Sequence, residues 1–122
     1  MDTVDRATRS RIMASIRSRN TAPERTLFAK LARAGLRFRK WPDVPGSPDA
    51  LVAGKWAIHV MGCFWHGCPR HFRAPKSNAA FWRGKIRVNR RRDLAALRAA
   101  RRAGLRPVVV WEHQITAWKP EF

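Results

Sequence analysis

Two short apolar runs, "KWAIHVMG" (residues 55–62) and "LRPVVVWE" (105–112), flank a long run of helix formers, "AAFWRGKIRVNRRRDLAALRAARRAG". No other feature limits the chain as much. A strand that returns to its own sheet by way of a helix pairs in parallel with the strand it left. Asn78 stands where it can cap the helix, Gly104 where it can end it, and a break is expected near Asn89. "PDALVAG" precedes the first run, with Ala53-Gly54 as the turn, so these two segments read as a hairpin. Further upstream, "TAPERTLFAKLARAG" has Thr21 as N-cap and Glu24 three residues on as a capping box. Leu27, Phe28 and Leu31 share one face of this second helix and Gly35 terminates it. The expectation is an α/β chain with a small mixed sheet flanked by helices.

A chain of 122 residues supports one compact domain. Its 26 Lys and Arg against 8 Asp and Glu give a net charge of +18, far beyond what solubility needs, so a polyanion is the expected partner. The basic residues are mixed with six Trp and six Phe, which makes the folded surface itself basic. No run of about 18 apolar residues is present to cross a membrane, and the first residues lack a signal-peptide core. A cytoplasmic, monomeric protein with no membrane partner is expected. "TRSRIMASIRSRN" carries Ile12, Met13 and Ile16 at helical spacing. Residues 1–20 therefore read as a basic amphipathic arm that gains order against the domain or DNA, and 21–122 as the single domain.

Both cysteines fall in "VMGCFWHGCPRHF". Cys63, Cys68 and His71, joined by His113 after the last strand, make a Cys2His2 set suited to structural zinc. The alternative is a pair of buried thiols beside unrelated histidines. Such a closed site would fix the directions of Phe64, Trp65 and His66. A nuclease needs a carboxylate for Mg2+ and a group that activates water. Asp49, after Pro48 at the start of a strand, is a candidate for the first, although a Pro-Asp pair is also a common turn. Phe64 and Trp65 read either as exposed or as core residues, and Trp56 and Trp111 as core. Arg90, Arg91 and Arg92 are candidate phosphate contacts.

"GCFWHGCPRH", "PKSNAAFWRGKI", "NRRRD" and "VVVWEH" resemble, in order and spacing, the very short patch repair endonucleases of the Vsr family, and "DRATRSRIMASIRSRNTAPE" is similar to that family's N-terminus. The resemblance implies a restriction-endonuclease-like fold with a structural zinc and a catalytic Mg2+. It implies nicking of double-stranded DNA 5′ of the thymine in T:G mismatches left by deamination of 5-methylcytosine. It further implies a functional link to a cytosine-5 DNA methyltransferase, contact with mismatch-repair proteins, and a nucleoid-associated place in a prokaryotic cytoplasm. By the same resemblance Asp49 and the main-chain carbonyl of Val60 hold Mg2+, His66 is the general base, and Glu24 and Asp93 support the site. Phe64, Trp65 and Trp82 would wedge into the base stack, with Arg9, Lys85, Asn89 and Arg90 to Arg92 as further DNA contacts. Glu24 is also explained as a cap, and Asp93 as the partner of a neighbouring arginine.

The family pattern is broken at Met61, where an aspartate or histidine is expected. A thioether neither holds hard Mg2+ nor takes a proton at neutral pH. His59, two residues earlier, is the expected stand-in, and a weakened nuclease that binds without cutting, or one with another DNA target, are the alternative functions. Relatives are also expected to carry a C-terminal helix beyond the last strand.

Overall fold

The computed structural model describes residues 20–122. The expected DNA-contacting arm, with Arg9, lies outside the described residues but for its last position. Helix α1 (Ala22–Arg33) is followed by strands β1 (Phe38–Lys40), β2 (Ala50–Val52) and β3 (Trp56–Met61), helix α2 (Ala79–Arg102) and strand β4 (Arg106–Trp111). The four strands form one sheet in the order β1-β2-β3-β4. β1 pairs antiparallel with β2, and β2 with β3 through a turn in which Ala53 and Gly54 take positive φ (54° and 66°). β3 and β4 run parallel, in register from Trp56 opposite Arg106 to Met61 opposite Trp111. This is the crossover that the apolar–helical–apolar order predicts. The small mixed α/β architecture is consistent with a nuclease fold. Among the described residues no helix is long and apolar enough to cross a membrane.

Alternation along the central strands divides the interior in two. Ile58 of β3 and Val110 of β4 join Leu27, Phe28 and Leu31 of α1 in the main buried cluster, with Trp56, Val60 and Val108 packed against it. Met61, Val109 and Trp111, on the opposite parity, instead share a cavity of about 200 Å³ with Leu94 and Leu97 of α2. The sheet is thus covered by α1 on one face and α2 on the other.

Three local expectations are corrected. Thr21 caps α1, accepting the Glu24 N–H at 3.4 Å, but the Glu24 carboxylate accepts from Asn20 N–H (2.9 Å) rather than from Thr21, so the capping box is displaced by one residue. Asn78 takes a left-handed conformation (φ 58°) and its side chain makes no cap hydrogen bond, so the first N–H groups of α2 have no cap from it. Nor does α2 break at Asn89, since it runs unbroken for 24 residues. Its end follows the expectation: Gly104 (φ 82°) donates to Arg101 O and Leu105 N–H to Ala100 O, a Schellman closure. β1 carries no expectation from the sequence. Three residues, two of them basic and exposed, offer no alternation to read.

Candidate active site

At the carboxyl ends of β3 and β4 a cleft of about 480 Å³ opens, lined among others by Glu24, Val60, His66, Asn89, Asp93 and Glu112. Asp49, one residue before β2, adjoins it through Val60, whose N–H donates to Asp49 Oδ2 at 2.7 Å. The Asp49 backbone is fixed on both sides, donating to Ile58 O (2.9 Å) and accepting from Trp41 N–H (2.8 Å). Burial raises its pKa from 3.8 to about 7, an effect that the Val60 N–H opposes, nearby Glu24 adds to and His66 opposes. A bound divalent cation would favour the ionised form.

His66 and Asp93 make the only basic–acidic side-chain contact within 4 Å among the described residues: Nδ1–H of His66 donates to Asp93 Oδ2 at 2.7 Å. Asp93 comes from the middle of α2 and His66 from the loop after β3, so the crossover brings them together. With Nδ1 held, Nε2 is the ring nitrogen left to exchange a proton. Glu24 is 5% exposed, and its Oε2 accepts both Asn20 N–H and Trp41 Nε1–H, each at 2.9 Å. Those two donors account for it structurally, while it still lines the cleft.

Met61 and His59 do not face this cleft. Met61 is buried in the smaller cavity on the α2 face, where His66, Arg90 and Asp93 also reach. His59 is buried with Nε2 unpartnered, and burial holds its pKa below the ordinary histidine value. The expected stand-in for Met61 does not line the cleft, although Asp93 and His66, which do, act on it electrostatically.

The soft-ligand set is partly assembled. Cys63 Sγ, Cys68 Sγ and the nearest nitrogen of His113 lie within 4.8 Å of one another, and His113 Nδ1 stands 3.2 Å from Cys63 Sγ and 3.6 Å from Cys68 Sγ. Bond lengths of about 2.3 Å to sulfur and 2.0–2.1 Å to nitrogen put the S–N edge of a tetrahedron at about 3.5 Å, so the spacing fits a metal. His71 is exposed; its ring lies against that of His113 at 4.2 Å between centroids, but its nitrogens are not among the three clustered atoms. The loop closes through Cys68 N–H to Cys63 O (2.8 Å) and rests on α2 at Gly67. There φ is +64° and a Cβ would come within 2.4 Å of Ile86, so only glycine fits.

Phe64, Trp65 and Trp82 form one aromatic group, with Phe64 at 5.2 Å from Trp65 and 5.3 Å from Trp82, and Trp65 at 6.0 Å from Trp82. All three are half-buried, between the two alternatives that the sequence left open. Phe72 backs Phe64, and Phe81, 62% exposed, stands edge-on to Trp82. Asn89 differs from its expected place among the DNA contacts. It is 6% exposed and its Nδ2 donates to Trp65 O at 2.8 Å, so it holds the aromatic loop. Arg92 lines the cleft, Arg90 the smaller cavity, Arg91 is exposed and Lys85 half-buried. Glu112, at the end of β4, is a site residue that the sequence reading missed. "VVVWEH" contains it, but only His113 in that motif carried a recognisable ligand chemistry.

The family model described as DNA mismatch endonuclease Vsr matches residues 1–71. The type II nicking enzyme V.NaeI of Lentzea aerocolonigenes is 39% identical over 115 residues, covering 88% of this chain and 69% of its own. V.XorIIP of Xanthomonas oryzae pv. oryzae, also a type II nicking enzyme, is 38% identical over 109 residues, with 86% and 79% covered. The DNA mismatch endonuclease Vsr of Escherichia coli is 38% identical over 114 residues, with 91% and 73% covered.

The raised Asp49 pKa gives a pH dependence of definite sign. Because the folded chain holds this proton more tightly than the unfolded one, its stabilising effect is complete below about pH 4 and is lost as pH rises through about 7. Asp49→Asn removes that slope. Measured side by side by thermal unfolding without divalent ions, the parent should lose stability relative to Asp49→Asn across this window and no further above it. A parent–variant difference that stays constant with pH would show that Asp49 ionises freely.

Proposed function

The chain belongs to the DNA mismatch endonuclease Vsr family, and from that membership we propose that it nicks one strand of duplex DNA 5′ of the thymine in a T:G mismatch. The observation that carries this reading is the shared position of two functions: the His66–Asp93 pair and Val60 line one cleft, and Asp49 is bonded to Val60. Asp49 and the Val60 carbonyl would hold Mg2+, which supplies Lewis-acid neutralisation of the scissile phosphate. His66 takes a proton from the attacking water at Nε2, and Asp93 stabilises the imidazolium that results. Glu24, fixed by its two donors, keeps Trp41 and the start of α1 in place beside Asp49.

Recognition falls to the rings. A T:G step unstacks at less cost than a matched step, and Phe64, Trp65 and Trp82 can recover stacking there. Asn89, through the Trp65 carbonyl, keeps the tip from spending that gain on ordering. Lys85, Arg90, Arg91 and Arg92, and Arg9 of the 1–20 arm, contact phosphates irrespective of sequence. Cys63, Cys68, His113 and, from the adjoining ring, His71 hold a structural Zn2+ that makes the loop rigid. A cytosine-5 methyltransferase creates the base whose deamination yields the substrate, and mismatch-repair proteins share it. Met61, a thioether where the family pattern expects aspartate or histidine, carries a second reading: a mismatch binder that cuts slowly.

End-labelled duplexes separate these readings. With Mg2+, a single cut in the T:G duplex and none in matched C:G is expected, and Asp49→Ala should lower nicking by at least about 10²-fold while mismatch binding persists. Tight binding without cutting selects the second reading; cutting of matched DNA refutes both. Trp65→Ala should weaken T:G binding by about 1–3 kcal/mol and matched binding by less, and equal losses would make the ring a general contact. Protein purified without chelator should contain one equivalent of zinc, lost in Cys68→Ser. Zinc-free parent protein that is fully folded would rule out the structural metal.

A further inference from the structure

The chain has 8 acidic residues among 26 basic ones, yet the acids are not spread to neutralise them. Of the described carboxylates, Glu24, Asp93 and Glu112 line one cleft, Asp49 adjoins it, and only Asp43 and Glu121 lie elsewhere. Among the described residues none of these four pairs with Lys or Arg. Three have partners that account for them, as set out above. Glu112 differs. It is exposed, its Oε1 accepts the Cys63 N–H at 2.8 Å, and Oε2 has no hydrogen-bond or ion-pair partner among the described residues. Its own N–H donates to Met61 O at 2.9 Å, so one residue grips the Met61–Cys63 turn at both ends, directly after Val60.

A second acceptor, on a buried residue that lines the same cleft, is also without a donor. Asn89 lines it and is 6% exposed, and its Oδ1 has no partner although Nδ2 is bonded. A buried oxygen left in that state is costly unless something donates to it. Acceptors without donors suit a hydrated divalent cation, because Mg2+ gives up its water reluctantly and each water it keeps presents hydrogens outward. They do not suit a bare phosphate, which has no proton to give and is repelled by the carboxylate.

We propose that Glu112 is a further residue of the cation site, a positioning residue that holds the ion's water shell through Oε2 while Oε1 fixes the turn after the Val60 carbonyl. The inference rests on the nuclease reading, in which Asp49 and the Val60 carbonyl would also hold the ion. Outer-shell groups of this kind orient a metal and set its affinity without bonding to it. Glu112 also ties the hard-ion cleft to the soft-ligand loop, because the N–H that it binds belongs to Cys63.

The test uses Mn2+ as the probe ion with the full chain, measuring Mn2+ affinity by paramagnetic resonance or calorimetry, together with zinc content and T:G-duplex binding. Glu112→Gln keeps an oxygen for the Cys63 N–H but removes the charge, whereas Glu112→Ala removes both. Glu112→Gln is expected to weaken Mn2+ binding by about tenfold or more, with zinc content and duplex binding unchanged, and Glu112→Ala to do at least as much. If Glu112→Gln binds Mn2+ as the parent does while Glu112→Ala does not, the residue only holds the turn and the proposal fails. If Asp49→Asn loses the ion and Glu112→Gln does not, the proposal fails and the nuclease reading stands. If neither variant changes Mn2+ binding, both fall.

Discussion

The parallel pairing of β3 with β4 is the constraint on which the rest depends. Because both strands point the same way and end in register, Met61 opposite Trp111, whatever follows each of them emerges at one edge of the sheet. Gly62 and Cys63 therefore meet Glu112 and His113, residues about fifty positions away, and the 3.2 Å approach of Cys63 to His113 follows from topology rather than from any local motif. A parallel connection also demands a crossover. Here the crossover is α2, which carries Asp93 to His66 and Asn89 to the Trp65 carbonyl. The His66–Asp93 pair, the support of the aromatic loop and the soft-ligand set are three results of one pairing.

Electrostatics then divides the labour. A surface with a net charge of +18 attracts DNA at long range without regard to sequence. At the cleft acids are concentrated instead, four carboxylates standing at or beside it together with Arg92 and His66. Those carboxylates repel a phosphate. Burial makes the conflict sharper, because it already holds Asp49 near neutrality, at about 7. On the proposed nuclease reading, a cation accompanying the phosphate would resolve both problems at once.

How far the sequence shows this depends on whether a feature is local. The α1 face of Leu27, Phe28 and Leu31, the hairpin turn and the glycine closure of α2 were legible because periodicity and φ preference act over a few residues. So was the parallel crossover, since chain order alone implies it. What escaped depends on tertiary direction. Asn78 has the right type for a cap but the wrong backbone conformation, and Asn89, polar and between arginines, reads as a surface contact until the loop under it is known. By resemblance, position 61 should carry an aspartate or histidine of the site, whereas strand parity turns Met61 toward α2. Glu112 was hidden by its neighbour, because the sequence says that His113 can bind metal and says nothing of where the preceding carboxylate points.

Chain order also fixes when the cleft can be completed. Synthesis proceeds from the N-terminus, and domains gather structure as they emerge. α1, the hairpin and the cysteine loop leave the ribosome long before β4. Until residue 113 is out, Cys63 and Cys68 lack their third partner, and until α2 has docked, His66 has no Asp93 to orient it. A nascent or prematurely terminated chain can carry Asp49 and Val60 in the correct hairpin, with His66 after it, and still lack the completed cleft. The cleft is thus completed only when the last strand joins the sheet, and an unfinished copy of the chain lacks it.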